Sequence, residues 1–187
     1  MDVGTAEWPA EPSLEEAGEV RLPRGRRQEV VAAGLLLRAL CYFDDADRED
    51  EGDLVVAAEL VTDEQMAFMV RHGTGIVCVP MPALRADELR LAPMVADNTD
   101  AHGTAFTVSV DHLSTGTGVS TADRTATVRA LADPATKAGE LRRPGHVSPL
   151  RARAGGVLVR AGHTEAAVDL TTGARERGHG GRGVTPP

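Results

Sequence analysis

Ten consecutive residues, DDADREDEGD from Asp44 to Asp53, carry seven carboxylates and a single cation, Arg48. Such a density repels itself unless water, a metal ion or the guanidinium offsets it. The run therefore belongs in a loop rather than inside a packed element. A solvated loop is the ordinary outcome for a charge run. Here, however, the run follows ALCYF and precedes LVVAAELV, so two apolar segments clamp its ends and hold a row of oxygen donors at the margin of a core. An EF-hand does not fit: with Asp47 taken as first, Gly52 falls sixth as required, but Ala58 occupies position twelve where glutamate is needed. Hard oxygen donors with few nitrogen or sulfur neighbours suit magnesium or manganese.

A chain of 187 residues with 42% hydrophobic content suits one domain able to bury a core. The formal charge of −8 argues against a nucleic-acid partner, which would call for clustered Lys and Arg. Cys41 and Cys78 both sit in apolar runs and are expected as buried thiols rather than a disulfide. The start of the chain lacks a basic, apolar signal segment, and no run reaches membrane-spanning length. The cytoplasm is the expected location, with no membrane partner.

Periodicity divides the chain into a leader over 1–26, an ordered domain over 27–170 and a Gly/Arg-rich tail over 171–187, both ends being too poor in apolar pattern to pack. Good helix formers predict a helix from about Arg27 through EVVAAGLLLRAL, turning into a short strand at Leu40 to Phe43. Thr62 and Gln65 form a capping box, with Val61 and Met66 as its staple and Met66, Met69 and Val70 on one helical face. Ile76 to Pro80 reads as a buried strand, and TAFTVSVD, from Thr104 to Asp111, as an alternating one in the same sheet. Ser120 with Asp123 opens another helix, which Asp133 and Pro134 stop. GGVLVRAGHTEAAVDL, from Gly155, suggests a strand turning into a helix capped at Thr164. The expected fold is α/β (α+β), a single-domain mixed sheet flanked by helices.

Two histidines stand beside glycine among charged and small residues: His146 in RRPGHVSPLRA and His163 in RAGHTEA. A lone histidine is more often a surface or core residue than a ligand. Around His163, however, Arg160, Gly162 and Thr164 add a guanidinium, a close-approach glycine and a hydroxyl at a predicted helix start, the usual make-up of an anion site. Cys78, inside a buried strand, should have its thiolate disfavoured and is read as core. TGTGVSTADR, from Thr115, could contact phosphate, and turn chemistry explains it equally well.

DREDEGDL, RHGTGIVC, MVADNTDAHGTAFTV, TGVSTADRTATVRALADP and RPGHVSPLRARAGGVLVRAGHTEAAVDL, in that order from the acidic run to Leu170, together resemble the 3,4-dihydroxy-2-butanone 4-phosphate synthase family. The resemblance implies a magnesium-dependent lyase of riboflavin biosynthesis. Such an enzyme converts D-ribulose 5-phosphate to 3,4-dihydroxy-2-butanone 4-phosphate and formate through a metal-stabilised enediolate. It also implies two Mg2+ ions, with Mn2+ as an alternative, and a homodimer with active sites near the subunit interface. Carried over residue by residue, it makes Glu49 and His163 metal ligands. Arg48, Asp53 and the segment containing Arg160, Gly162, His163 and Thr164 become substrate contacts, and His146, Asp53 and Glu49 become catalytic.

The sequence departs from the family pattern at Ala46, Asp50, Gly116 and Ser148. After Leu170 it departs more fully: the family continues to a catalytic glutamate, and Val184 stands roughly there. Two other expectations follow from that departure: a catalytically impaired paralog that binds sugar phosphate and Mg2+ or pairs with an intact subunit, and a related ketose-phosphate enzyme of specialised metabolism.

Overall fold

The computed structural model describes residues 19–20, 29–33, 39–43, 52–73 and 75–178, with side chains described for 52–73 and 75–172. The acidic run from Asp44 to Glu51, and with it Arg48 and Glu49, lies outside the described residues, as does most of the expected leader.

Strands β1 (Glu19–Val20), β2 (Glu29–Ala33), β3 (Ala39–Phe43) and β4 (Gly52–Val55) form an antiparallel sheet in that order. The helix predicted from Arg27 is therefore corrected to a strand. EVVAA pairs along its whole length with ALCYF, Glu29 opposite Phe43 and Ala33 opposite Ala39. The β-branched pair Val30 and Val31 suits a pleated surface, and cross-strand pairing outweighs the intrinsic helix preference of the alanines. The predicted strand at Leu40 to Phe43 is present as β3, and its pairing with β4 sets Tyr42 opposite Asp53 across the two ends of the acidic run.

Helix α1 (Asp63–His72) starts as its sequence predicts: Thr62 Oγ1 accepts from the Gln65 N–H at 3.2 Å, and Gln65 Oε1 accepts from the Thr62 N–H at 2.9 Å. Val61 and Met66 are both buried. Of the expected apolar face, Val70 is instead exposed. Helix α2 (Ala83–Glu88) is a single short turn region after strand β5 (Cys78–Pro82), which begins two residues later than IVCVP suggested. Strand β6 (Val110–His112) is all that TAFTVSVD supplies as regular strand; Phe106 and Thr107 make only isolated bridges, to Leu150 and Pro93.

Helix α3 (Thr121–Ala132) is capped by Ser120, whose Oγ accepts from the Asp123 N–H at 3.1 Å, and ends at Asp133 as expected. Its buried Thr127 hydroxyl accepts from the His112 N–H at 3.0 Å and donates to the Asp123 carbonyl, satisfying its polar atom while fixing α3 to β6. Arg129 Nε reaches the Val61 carbonyl at 2.8 Å and ties α3 to the start of α1.

Strand β7 (Leu141–Ala152) is the centre of a mixed sheet, parallel to β5 and antiparallel to β6. Met66, Val79, Leu89, Val110, Leu131 and Val147 fill the core between this sheet and the helices. The expected mixed sheet flanked by helices is thus present, and the antiparallel sheet β1 to β4 is an addition to it.

Two expectations at the C-terminal side are corrected. Gly156–Leu158 is a 3-10 turn and not a strand, because Gly155 (φ 94°) and Gly156 (φ 59°) adopt left-handed conformations that no strand allows. Helix α4 (His163–Gly178) runs past Leu170 through TTGARERG, eight residues assigned above to the tail. Thr164 lies inside its first turn and is not the cap. No helix among the described residues is long and apolar enough to cross a membrane.

Candidate active site

The segment that carries His163 is built around a buried ion pair. Glu165 is only 1% exposed. Its Oε1 accepts the Arg153 N–H at 2.9 Å, and its Oε2 pairs with Arg160 Nη1 at 2.7 Å. Arg160 Nη2 donates to the His102 carbonyl at 3.1 Å. A Cβ on Gly162 would overlap the Arg160 guanidinium, so the close approach that this glycine permits is to the ion pair. The Asp169 carboxylate accepts the Val157 N–H at 2.9 Å and closes the turn from the other side. Together these contacts fix the start of α4, where the first N–H groups have no partner within the helix and favour an anion.

The loop beneath is stitched as well: Asp100 Oδ2 accepts the Thr104 N–H at 2.8 Å, and Asn98 Nδ2 donates to the Thr104 carbonyl. The Thr104 backbone contact, first among several, holds the Asp100 carboxyl below the usual carboxylate range.

Asp53, Cys78, Phe106, Arg160, His163 and Thr164 line one open cleft of about 1260 Å3. Burial pushes the Cys78 thiol up to about 11, with the Asp53 charge adding to it. Cys78 is therefore a protonated residue of the cleft wall, half-buried where a core position was expected. Asp53 and His163 offer a carboxylate and an imidazole to the same space, a donor set that fits a hard or borderline divalent cation. Among the described residues no three His, Cys, Asp or Glu side chains cluster.

The structure thus brings Asp53, Arg160, His163 and Thr164 together. It does not place His146 in that cleft. His146 is not among the residues that line it; its Nδ1 meets Asp111 Oδ2 at 2.9 Å and its backbone N–H donates to Asp111 Oδ1 at 2.9 Å. Sequence reasoning missed both buried acids, Asp111 and Glu165. Asp111 pairs with a residue 35 positions away, which no local pattern announces. Glu165 could have been suspected, since a glutamate in the first turn of a helix five residues after an arginine can fold back to pair with it.

The mixed sheet thus sets a carboxylate, an imidazole and a helix start along one cleft. The model of the 3,4-dihydroxy-2-butanone 4-phosphate synthase family matches residues 31–180, and the chain belongs to that family. Riboflavin biosynthesis protein RibBA of Bacillus cytotoxicus is 58% identical over 133 residues, which is 71% of this chain and 34% of the relative. The chain therefore spans about a third of the length of the curated relatives it matches. Among solved structures, a 3,4-dihydroxy-2-butanone 4-phosphate synthase in complex with two magnesium ions is 55% identical with a TM-score of 0.68, covering 70% of this chain and 61% of that one. The Candida albicans synthase is 51% identical with a TM-score of 0.65, covering 71% and 65%.

Proposed function

We propose that this chain converts D-ribulose 5-phosphate to 3,4-dihydroxy-2-butanone 4-phosphate and formate, as a riboflavin-pathway lyase of the cytoplasm. The observation that carries the reading is the single cleft lined both by Asp53 and by His163 and Thr164 of the first turn of α4. The substrate's phosphate is assigned to the α4 N-terminus, where the backbone around His163 and Thr164 supplies the donors. The Arg160 guanidinium, engaged by Glu165 and the His102 carbonyl, contributes mainly by holding that backbone in place.

His163 and Asp53, with Glu49 and Arg48 of the acidic run, are assigned to the ketose end. Glu49 and His163 are the proposed ligands of two divalent ions, Mg2+ or Mn2+. When bound, such ions polarise the ketose oxygens and make the neighbouring C–H more acidic. Asp53 and His146 then hold or move the proton taken from beside the carbonyl. A homodimer accounts for His146 lying outside the cleft of its own chain. Leu113 and Val119, which flank β6 and α3 near His146, are each 53% exposed, and a second copy covering them would bring that histidine to the neighbouring cleft.

The test is formate release from ribulose 5-phosphate by the full chain with Mg2+ present. Activity that is lost on chelation and restored by Mg2+ supports the reading. Binding of the sugar phosphate with no formate formed would overturn it.

A further inference from the structure

We propose that Asp111 is a positioning residue for the reaction, fixing His146 as the Nδ1–H tautomer so that Nε2 is the nitrogen presented to substrate. The inference rests on the catalytic reading of His146 given above, and its geometric part stands apart from that reading.

The strand β7 does not run past β6 in simple register. Val110 pairs with Val147, and the next residue, Asp111, pairs with Arg142, so Arg143 to His146 are set aside from the ladder as an irregular bulge. Bulges of this kind re-aim a side chain. Two contacts hold this one: Ser109 Oγ accepts the Gly145 N–H at 3.2 Å, and Asp111 Oδ1 accepts the His146 N–H at 2.9 Å. A Cβ on Gly145 would overlap the backbone of Val110 and Asp111, which is why the bulge can press against β6 at all.

Holding the bulge needs one carboxylate oxygen. The second is what calls for another explanation, because it sits 2.9 Å from His146 Nδ1 and both oxygens thereby serve a single residue. The Asp111 side chain is 8% exposed and that of His146 is 41% exposed. A nearly buried anion thus faces one ring nitrogen while the imidazole reaches solvent. Gly118, at φ +82°, closes over the carboxylate so tightly that a Cβ there would overlap it. Among the described residues, the Asp111 carboxylate accepts no hydrogen bond besides these two.

An ionised carboxylate can only accept, so Nδ1 must carry a proton, and the lone pair of the neutral ring is then on Nε2. A carboxylate behind a histidine serves general acid–base catalysis in this way, by setting tautomer and orientation without itself exchanging the proton.

Asp111→Asn isolates the effect. Its amide oxygen can keep the backbone bond that holds the bulge, while its NH2 group faces Nδ1 and requires a lone pair there, turning the ring to the Nε2–H form. With 15N-labelled histidine, and the His146 signals assigned by their loss in His146→Gln, the unsubstituted chain should show Nδ1 protonated and Nε2 bare at neutral pH. Asp111→Asn should show the reverse. In formate release, kcat should fall by about 10²–10⁴-fold with KM within about threefold.

An Nε2–H ring in the unsubstituted chain overturns the proposal, whether or not the variant folds. So does a kcat for Asp111→Asn within about twofold of the unsubstituted value. If the unsubstituted chain releases no formate, the proposed activity fails, and the ring spectra alone still decide whether Asp111 sets the tautomer.

Discussion

Cys78 shows how one side chain reports on its surroundings. With its thiol pushed up to about 11 by burial first and Asp53 second, it should react slowly with iodoacetamide at pH 8, measured by peptide mapping against Cys41 in urea-unfolded chain. Asp53→Asn removes a neighbouring negative charge, so the thiol pKa should fall and labelling should speed up; unchanged labelling would mean that the two groups do not sense each other. The sign for stability follows from the same shift. A thiol that holds its proton more tightly when folded contributes stability fully present below about 9, its ordinary value, and lost as the pH rises towards about 11. Alkaline melts should therefore weaken across that window, and less so in a Cys78→Ser variant. Glu165 is the harsher case: it is 1% exposed and its ion-pair partner Arg160 is 11% exposed. Removing one partner strands the other charge, so Glu165→Gln and Arg160→Ala should each cost about 3–5 kcal/mol in urea denaturation.

At the scale of elements, the helix starts were legible because capping is local chemistry. Thr62 with Gln65, and Ser120 with Asp123, satisfy orphan N–H groups three residues away, and both pairs can be read directly from the letters. Ser120→Ala should cost about 0.5–2 kcal/mol in thermal or urea melts, and a neutral result would show that water replaces the cap. Gly145→Ala should cost more than either cap, since its Cβ has no room against the β6 backbone. What could not be read was decided by distant partners. EVVAA became β2 because β3 lies alongside it, and TAFTV shrank to isolated bridges because its neighbours Pro93 and Leu150 meet it only at single residues. The end of α4 was misjudged for a related reason: Gly, Thr and Arg after Leu170 gave no apolar stripe, yet the helix already begun continues through them.

For the whole molecule, the family was legible because long motifs stand in order along the chain, and Asp53, Arg160, His163 and Thr164 all line one cleft. That His146 is not among the cleft-lining residues was not legible, since nothing in RPGHVSPL announces the irregular pairing with β6 that sets it aside. If a second copy supplies that histidine, mixing His146→Ala chains with His163→Ala chains should restore up to about a quarter of the unsubstituted formate release, the share of intact sites expected when random pairing leaves half the molecules mixed with one whole site each. No recovery in mixtures shown to exchange subunits would place each site within one chain. The clamp of Arg160 on Glu165 and the His102 carbonyl has a practical side for any such experiment. It makes the turn ahead of His163 behave as one welded joint, so a lesion anywhere in it will look like weakened ligand binding when the true loss is of shape, and only a melt run beside each titration can tell the two apart.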